Sequence, residues 1–422
     1  MTDTDIKYLL PGIPDLHKIN VYEKEGGYGA LKKALGMKPD DVIEEVKKSN
    51  LRGRGGACFP AGLKWSFMPK NSEKPKYLCV NADEGEPGTF KDREIIEHNP
   101  HALIEGTLIA SYAMGVTTAY VYIRGEYVKW MKILEAAIEE AYDKKYIGKN
   151  IAGSKYSVDM YVHRGAGAYI CGEESSLMNS LEGERGYPRV KPPFPAQYGL
   201  WGCPTTINNV ETLANVPVII KNGADWYVKI GVEKHPGTLL YGVSGHVNNP
   251  GVFELPTGVL LTDLIYKYGG GVRSGKKLKA VIPGGSSTPI LRGDSIEGVR
   301  MDADSLMEAG SSIGTGGVIV MDEDTDIPDI IERISRFYHH ESCGQCTPCR
   351  EGTGWMEKII KRINRGEGKL KDLDVLLDVA NNIEGNTICA LGDAAAWPVQ
   401  SAIKRFRDEF EAKIDVEKTA AA

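Results

Sequence analysis

Apolar positions change period along the chain, and the changes mark out its elements. Residues 76–80 (Lys76-Tyr77-Leu78-Cys79-Val80) form a short apolar run that predicts a buried strand opening into the polar loop 81–92. Residues 101–114 show helical spacing. Residues 117–123 are β-branched and aromatic and predict a second strand. A helix over 126–144 and a strand over 158–163 continue the alternation. Strands alternating with helices predict an α/β sheet with helices on its faces, and ligands of such sheets gather in loops beyond the strand ends. The first 50 residues read as a helical lead-in, with a helix over 38–48.

The pattern shifts after residue 235. Short strands over 238–244 and 252–255 flank the turn Asn248-Asn249-Pro250-Gly251. A short helix over 262–268 and a strand over 278–283 complete a compact α+β module. From Pro328 onward, apolar residues recur every three to four positions over 330–340, 354–365, 370–381 and 394–412. Gly366, Gly368 and Gly385 punctuate these segments, which predict a small helical bundle. The expected division is therefore 1–235, 236–326 and 327–422.

Charge and composition narrow the partners. The 51 basic and 57 acidic residues leave a net charge of −6, without the basic excess expected of a nucleic-acid binder. No apolar run is long enough to span a bilayer. The acidic start Met1–Asp5 lacks the basic and apolar stretches of a secretory leader. We expect a cytoplasmic protein without direct membrane insertion, tied to a membrane only through partners.

Three of the eight cysteines crowd into Cys343-x-x-Cys346-x-x-Cys349, in the bundle's first connection, and Cys389 follows at the start of its last helix. Triple spacing with a remote fourth thiol is an iron–sulfur arrangement. Zinc sites favour separated pairs or Cys/His mixtures, and zinc stays open as the alternative. His339 and His340, at a helix end, have a sufficient explanation in the helix dipole.

Other segments look built for a ligand. Residues 52–65 carry Gly53 and Gly55 in a glycine-rich run that ends near Lys64, and they suit close backbone approach to a phosphate or ring. The run is not a Walker loop, and Cys58 stands where a dinucleotide fingerprint needs its third glycine. The acidic loop with Asn81, Asp83 and Glu86 follows a strand. So does the loop from Gly165 through Tyr169 and Gly172 to Glu173 and Glu174. Glu173 and Glu174 would also stabilise a helix N-terminus. Ile207, Asn208, Asn209 and Thr212 bring amides toward a heterocycle or cap a helix. Phe59, Phe67 and Phe194 are candidate adenine platforms or core residues.

Taken together, RGRGGACFPAGLKW, NADEGEPGTFKDR, GAGAYICGEESSL, KPPFPA, TTINNVET and ESCGQCTPCREGT with ICALGD resemble the flavin-bearing F subunit of NADH–quinone oxidoreductase, respiratory complex I. The resemblance covers nearly the whole chain. NAD-linked hydrogenase and formate dehydrogenase diaphorase subunits share the motifs, often with extra cysteine segments absent here. The resemblance implies a Rossmann-like FMN-binding domain, a β-grasp module of the soluble-ligand-binding kind and a helical bundle with a 4Fe–4S cluster.

It further implies that NADH passes a hydride to FMN and that electrons leave singly through a cluster on Cys343, Cys346, Cys349 and Cys389. Gly53, Gly55, Lys64, Asn81 and Asp83 would hold the flavin. Tyr169, Gly172, Glu173 and Glu174 would line its redox face, with Ile207, Asn208, Asn209 and Thr212 at its ring edge or phosphate end. Phe59, Phe67 and Phe194 would surround adenine, and Glu86, Glu174 and Lys191 would meet polar groups of the nucleotide. Glu86 and Glu174 are the expected catalytic-site acids, and both would repel the 2′-phosphate of NADPH. A partner with a two-iron 2Fe–2S cluster, the complex's E subunit, and a larger assembly at the cytoplasmic face of the inner membrane are implied too. A non-enzymatic electron-transfer scaffold is the competing expectation. The family usually carries glycine at the position of Cys58, which places a side chain beside the nucleotide loop.

Overall fold

A computed structural model describes residues 6–414. The acidic start Met1–Asp5 lies outside the described residues. The lead-in is helical, with Ile19–Lys24, Gly29–Leu35 and Pro39–Lys48. Four strands, β1 (Tyr77–Ala82), β2 (Thr118–Ile123), β3 (Asp159–Arg164) and β4 (Thr205–Asn209), form an all-parallel sheet in the order β3-β2-β1-β4.

The chain crosses from one side of β1 to the other between β3 and β4. The crevice beyond the carboxyl ends of β1 and β4 is therefore the switch point where ligands bind in doubly wound sheets. Asn81 and Asn209 pair in register at that edge. One sheet face packs on the largest apolar core, which includes Leu78, Val80, Leu108 and Leu134. Helix Pro100–Met114 is buried nearly all round, and Gly106 makes this feasible: a methyl group there would sit 1.9 Å from the Leu213 carbonyl oxygen. The opposite face contributes Cys79, Tyr122 and Ile207 to a second apolar core.

A ribbon, β5 (Gly231–Val232) with β6 (His235–Pro236), leads into the next module. There β7 (Thr238–Gly245), β8 (Gly251–Pro256), β9 (Leu278–Ile282), β10 (Leu291–Arg292) and β11 (Gly317–Asp322) take the order β10-β9-β11-β7-β8. The β7–β8 hairpin turns where Asn-Asn-Pro-Gly predicted, and β11 lies parallel to β7 in the sheet's interior. That is a β-grasp arrangement.

Helices Ile327–Glu341, Thr347–Asn364, Lys371–Ile383 and Leu391–Ala412 form the closing bundle. Their apolar stripes join the second core, so the bundle and the parallel sheet share one interior. The second helix starts seven residues earlier than its apolar spacing suggests, at Thr347 and not at 354. Pro348 explains this, because proline is tolerated in a first turn whose N–H groups lack intrahelical partners. Cys346 therefore stands immediately before that helix, without a side-chain capping bond, and Cys349 lies in its first turn, so only Cys343 of the three sits wholly in the connection. Among the described residues, no helix is long and apolar enough to cross a membrane.

Candidate functional site

The glycine-rich loop closes on itself through a bridge between Arg52 and Pro60, with the Gly53 N–H donating to the Phe59 carbonyl at 2.9 Å. It lies directly on Asn209: a methyl group on Gly55 would come within 3.1 Å of the Asn209 Cβ. The Arg54 N–H donates to Thr212 Oγ1 at 2.8 Å. Asn209 Oδ1 caps helix Val210–Ala214, and its amide donates to Asp92 Oδ2 at 2.7 Å. Asn208 is buried and accepts from the Trp65 indole at 3.3 Å. The Ile207 side chain is buried in the second core, so it can offer a ligand only its backbone. Cys58 adopts φ +52°, a left-handed conformation that glycine takes freely, and its side chain packs against the apolar core of the β7–β11 module.

Asn81 joins the second loop by donating to the Gly172 carbonyl at 2.8 Å, while its Oδ1 accepts the Asp83 N–H at 3.1 Å. Asp83 Oδ2 is buried without a hydrogen-bond partner. Burial pushes its carboxyl up to about 7, although Arg124 pulls the other way. A shielded acceptor with no donor, beside glycine backbone at a switch point, fits a flavin hydroxyl or ring N–H.

Glu173 Oε2 caps helix Glu174–Leu181 by accepting from the Ser175 and Ser176 N–H groups, as a helix-start carboxylate should. Lys191 bridges Glu173 at 3.0 Å and Glu174 at 2.7 Å, and Lys64 reaches Glu174 at 2.9 Å. Burial raises the Glu174 carboxyl, but the two lysines outweigh it and hold it down at about 2. Phe59 and Phe67 are exposed with ring centroids 6.2 Å apart, open to a planar guest, and Phe194 is exposed on the loop just after Lys191. Glu86 lies apart from this lysine–glutamate group. It accepts from Tyr169 Oη at 2.7 Å and the Ser287 N–H at 2.7 Å.

The four cluster cysteines pack against the second core, Cys349 buried and the others half-buried. Burial pushes Cys349 up to about 11 and Cys389 up to about 12, and the Cys343 and Cys349 thiols add to the effect on Cys389. Their sulfurs thus share one neighbourhood. Among the described residues, no three His, Cys, Asp or Glu side chains converge enough to hold a single metal ion. Four thiols without an imidazole or carboxylate are the donor chemistry of an iron–sulfur cluster. The two sites touch through Tyr169, whose N–H donates to Glu341 Oε2 at 3.0 Å, two residues before Cys343.

Comparison with known proteins agrees with this layout. Residues 46–218 match the family model of the Nuo51 FMN-binding domain, 239–320 that of the SLBB domain, and 329–413 that of the NADH-ubiquinone oxidoreductase-F iron-sulfur binding region. The F subunit of the NADH-quinone oxidoreductase of Rickettsia bellii (strain OSU 85-389) is 56% identical over 399 residues, 94% of this chain and 96% of that one. The chain belongs to the family of NADH-quinone oxidoreductase F subunits.

Within the same family, the F subunit of Rickettsia massiliae (strain Mtu5) is 57% identical over 94% of both chains. Among solved structures, the NAD+-reducing [NiFe]-hydrogenase in its H2-reduced state superposes with a TM-score of 0.83 at 37% identity. That match covers 90% of this chain but only 63% of the hydrogenase chain.

Sequence reasoning missed several residues around these loops. Glu84 staples the acidic loop, accepting from the N–H groups of Lys91 and Asp92, both at 2.8 Å, and from Tyr127 Oη at 2.9 Å. Arg124 donates to the Glu84 carbonyl at 2.7 Å. Ser286, Ser287 and Tyr338 gather at Glu86. The Gly-Gly-Ser-Ser run at 284–287 was a visible signal for the serines. Nothing local singles out Tyr338.

Proposed function

We propose that the protein is the electron-input subunit of an NADH-quinone oxidoreductase, oxidising NADH at an FMN site and passing electrons to a 4Fe–4S cluster on Cys343, Cys346, Cys349 and Cys389. The observation that carries this reading is the segment Tyr169–Glu174. One end bonds to Glu341 beside the cysteine turn, and Gly172 and Glu174 meet the Asn81 loop and Lys64. When bound, FMN would accept a hydride from nicotinamide C4 and release electrons singly, and the cluster would carry them one at a time.

The chain's own residues bind, orient and shield. Gly53 and Gly55 allow backbone approach, Lys64 supplies a cation, and Asp83 supplies an acceptor. Asn209 and Thr212 hold the glycine-rich loop against β4, which fixes the phosphate end relative to the ring end. Phe59, Phe67 and Phe194 offer apolar area to adenine. Lys191, Glu174 and Glu86 meet the polar parts of the nucleotide, and Tyr169 and Gly172 face the reacting rings. Positioning of this kind is the protein's main contribution where cofactors carry the chemistry.

The proposed domains are 1–235, 236–326 and 327–422; the helix starting at Ile327 supports the second boundary, while the first falls inside β6. The complex's E subunit, with its two-iron cluster, is the proposed direct partner. Attachment to the cytoplasmic face of the inner membrane would come through the larger assembly. The hydrogenase diaphorase reading is weaker, because the F subunits match at 56% identity over 94% of this chain and the hydrogenase at 37%.

An anaerobic absorption spectrum, taken before and after one equivalent of NADH, tests the reading. A flavin band that bleaches, followed by cluster reduction, is expected. A cluster spectrum without flavin would leave an electron-transfer scaffold instead.

A further inference from the structure

We infer that the β7–β11 module serves as the seat of Glu86, with Gly285, Ser286 and Ser287 acting as positioning residues for the carboxylate that meets the nucleotide. The inference rests on the function proposed above and gives this module a part in it.

The seat is a turn that directly follows β9. Its residues Gly284-Gly285-Ser286-Ser287 have the composition of an anion-binding loop, in which glycines free successive N–H groups to converge. The anion it holds belongs to the same chain. The Ser287 N–H donates to Glu86 Oε1 at 2.7 Å, and Ser286 Oγ lies 3.3 Å from the same oxygen. Tyr169 Oη takes the other oxygen at 2.7 Å. Gly285 presses on the side chain itself: with φ +96°, a methyl group there would come within 2.6 Å of Glu86 Cγ and 2.8 Å of Oε1.

The loop carrying Glu86 is fastened along its length to the same module. The Ser286 N–H donates to the Pro87 carbonyl at 3.0 Å. A methyl group on Gly88 would meet Ile319 Cδ1 at 2.7 Å, and one on Gly317 would meet the Gly88 carbonyl oxygen at 2.6 Å. Behind the seat, Tyr338 Oη bonds to Ser286 Oγ at 3.0 Å, so the first helix of the bundle backs the serine. Ser286 is buried and Glu86 half-buried, with both carboxylate oxygens engaged by Tyr169 and the turn. Burial holds the Glu86 carboxyl above its ordinary value, and these donors offset part of the rise.

The test uses the full chain loaded with FMN and cluster, with NADH oxidation read against ferricyanide. Ser286→Ala and Gly285→Ala should each raise the KM for NADH by about tenfold with kcat changed much less, the pattern of lost ground-state binding. Flavin content and the cluster's EPR signal should stay at wild-type levels. In a Glu86→Ala background, which vacates the space the new methyl needs, Gly285→Ala should add nothing further. Additive losses in that background would overturn the inference, because the turn would then act without Glu86. A wild-type KM in loaded Ser286→Ala protein would overturn it as well, and that conservative change removes only a hydroxyl should Gly285→Ala fail to fold. If NADH bleaches the wild-type flavin while the variants behave as wild type, the seat alone fails. If NADH leaves the wild-type flavin unbleached, the proposed function fails with it.

Discussion

Asp83 holds an acceptor oxygen that the fold itself leaves unfilled. Its carboxyl sits at about 7, raised by burial against the pull of Arg124. In the flavin-free fold the native state keeps this proton longer than the unfolded chain, so stability falls as pH rises from about 4 through about 7. A flavin donor favours the charged form, so FMN binding must expel a proton below about pH 7. Affinity is therefore full above that value and drops below it, by up to about tenfold per pH unit. Fluorescence titration of FMN at about pH 8 and about pH 6 measures the drop, and Asp83→Asn should flatten it. A slope that survives the substitution assigns the proton to another group. Glu84 also sits at about 7, but Lys91, Asp92 and Tyr127 already fill its oxygens. Nearby, Glu173 and Glu174 balance Lys64 and Lys191. Glu174→Gln leaves two cations against one anion, which favours an added 2′-phosphate. The ratio of NADPH to NADH kcat/KM should rise by about tenfold, and an unchanged ratio would give Glu174 a different role.

At the scale of elements, the glycine-rich loop is held from behind by Arg54. The sequence places this arginine among phosphate-facing glycines, but its side chain is buried and turned away. It bonds to His235, to the Pro236 carbonyl at 2.7 Å and to Tyr227 Oη at 3.3 Å. Burial, together with Arg54 itself, holds His235 neutral down to about 2. Arg54→Leu should cost roughly 3 kcal/mol by stranding these acceptors. A chemical denaturation midpoint checks that cost, and FMN affinity should weaken with it because the loop loses its anchor to the β5–β6 ribbon. Full FMN affinity in the destabilised variant would show that the loop holds its shape alone. The elements themselves were legible. Tyr77–Ala82 and Thr118–Ile123 lie within two residues of their predicted strands, because apolar and β-branched runs report a buried sheet directly. Cysteine spacing and loops at strand ends were legible for the same local reason. Arg54 turning inward and Ser286 reaching Glu86 were not, since each depends on a partner distant in the chain.

For the whole molecule, the decisive feature is that the parallel sheet has two interiors. One is built with the lead-in helices, the sheet's own connecting helices and Leu240 of β7, and the other is shared with the cysteine-bearing bundle. Loss of the cluster should therefore loosen the bundle without dissolving the flavin site. Cys389 is the variant to choose, because it stands alone ahead of helix Leu391–Ala412 while the other three thiols share one turn. In Cys389→Ala protein the EPR signal of the cluster should vanish, and thermal stability should fall because metal binding is coupled to folding of the bundle. The flavin band should persist and still bleach with NADH, since Leu78, Val80 and the helices on that face need nothing from the bundle. Quinone-linked electron flow in the assembled complex should fall by at least about a hundredfold, the one-electron exit having been removed. Loss of flavin together with iron would refute this division, and would mean that Tyr169 and Glu341 join the two sites into a single folding unit.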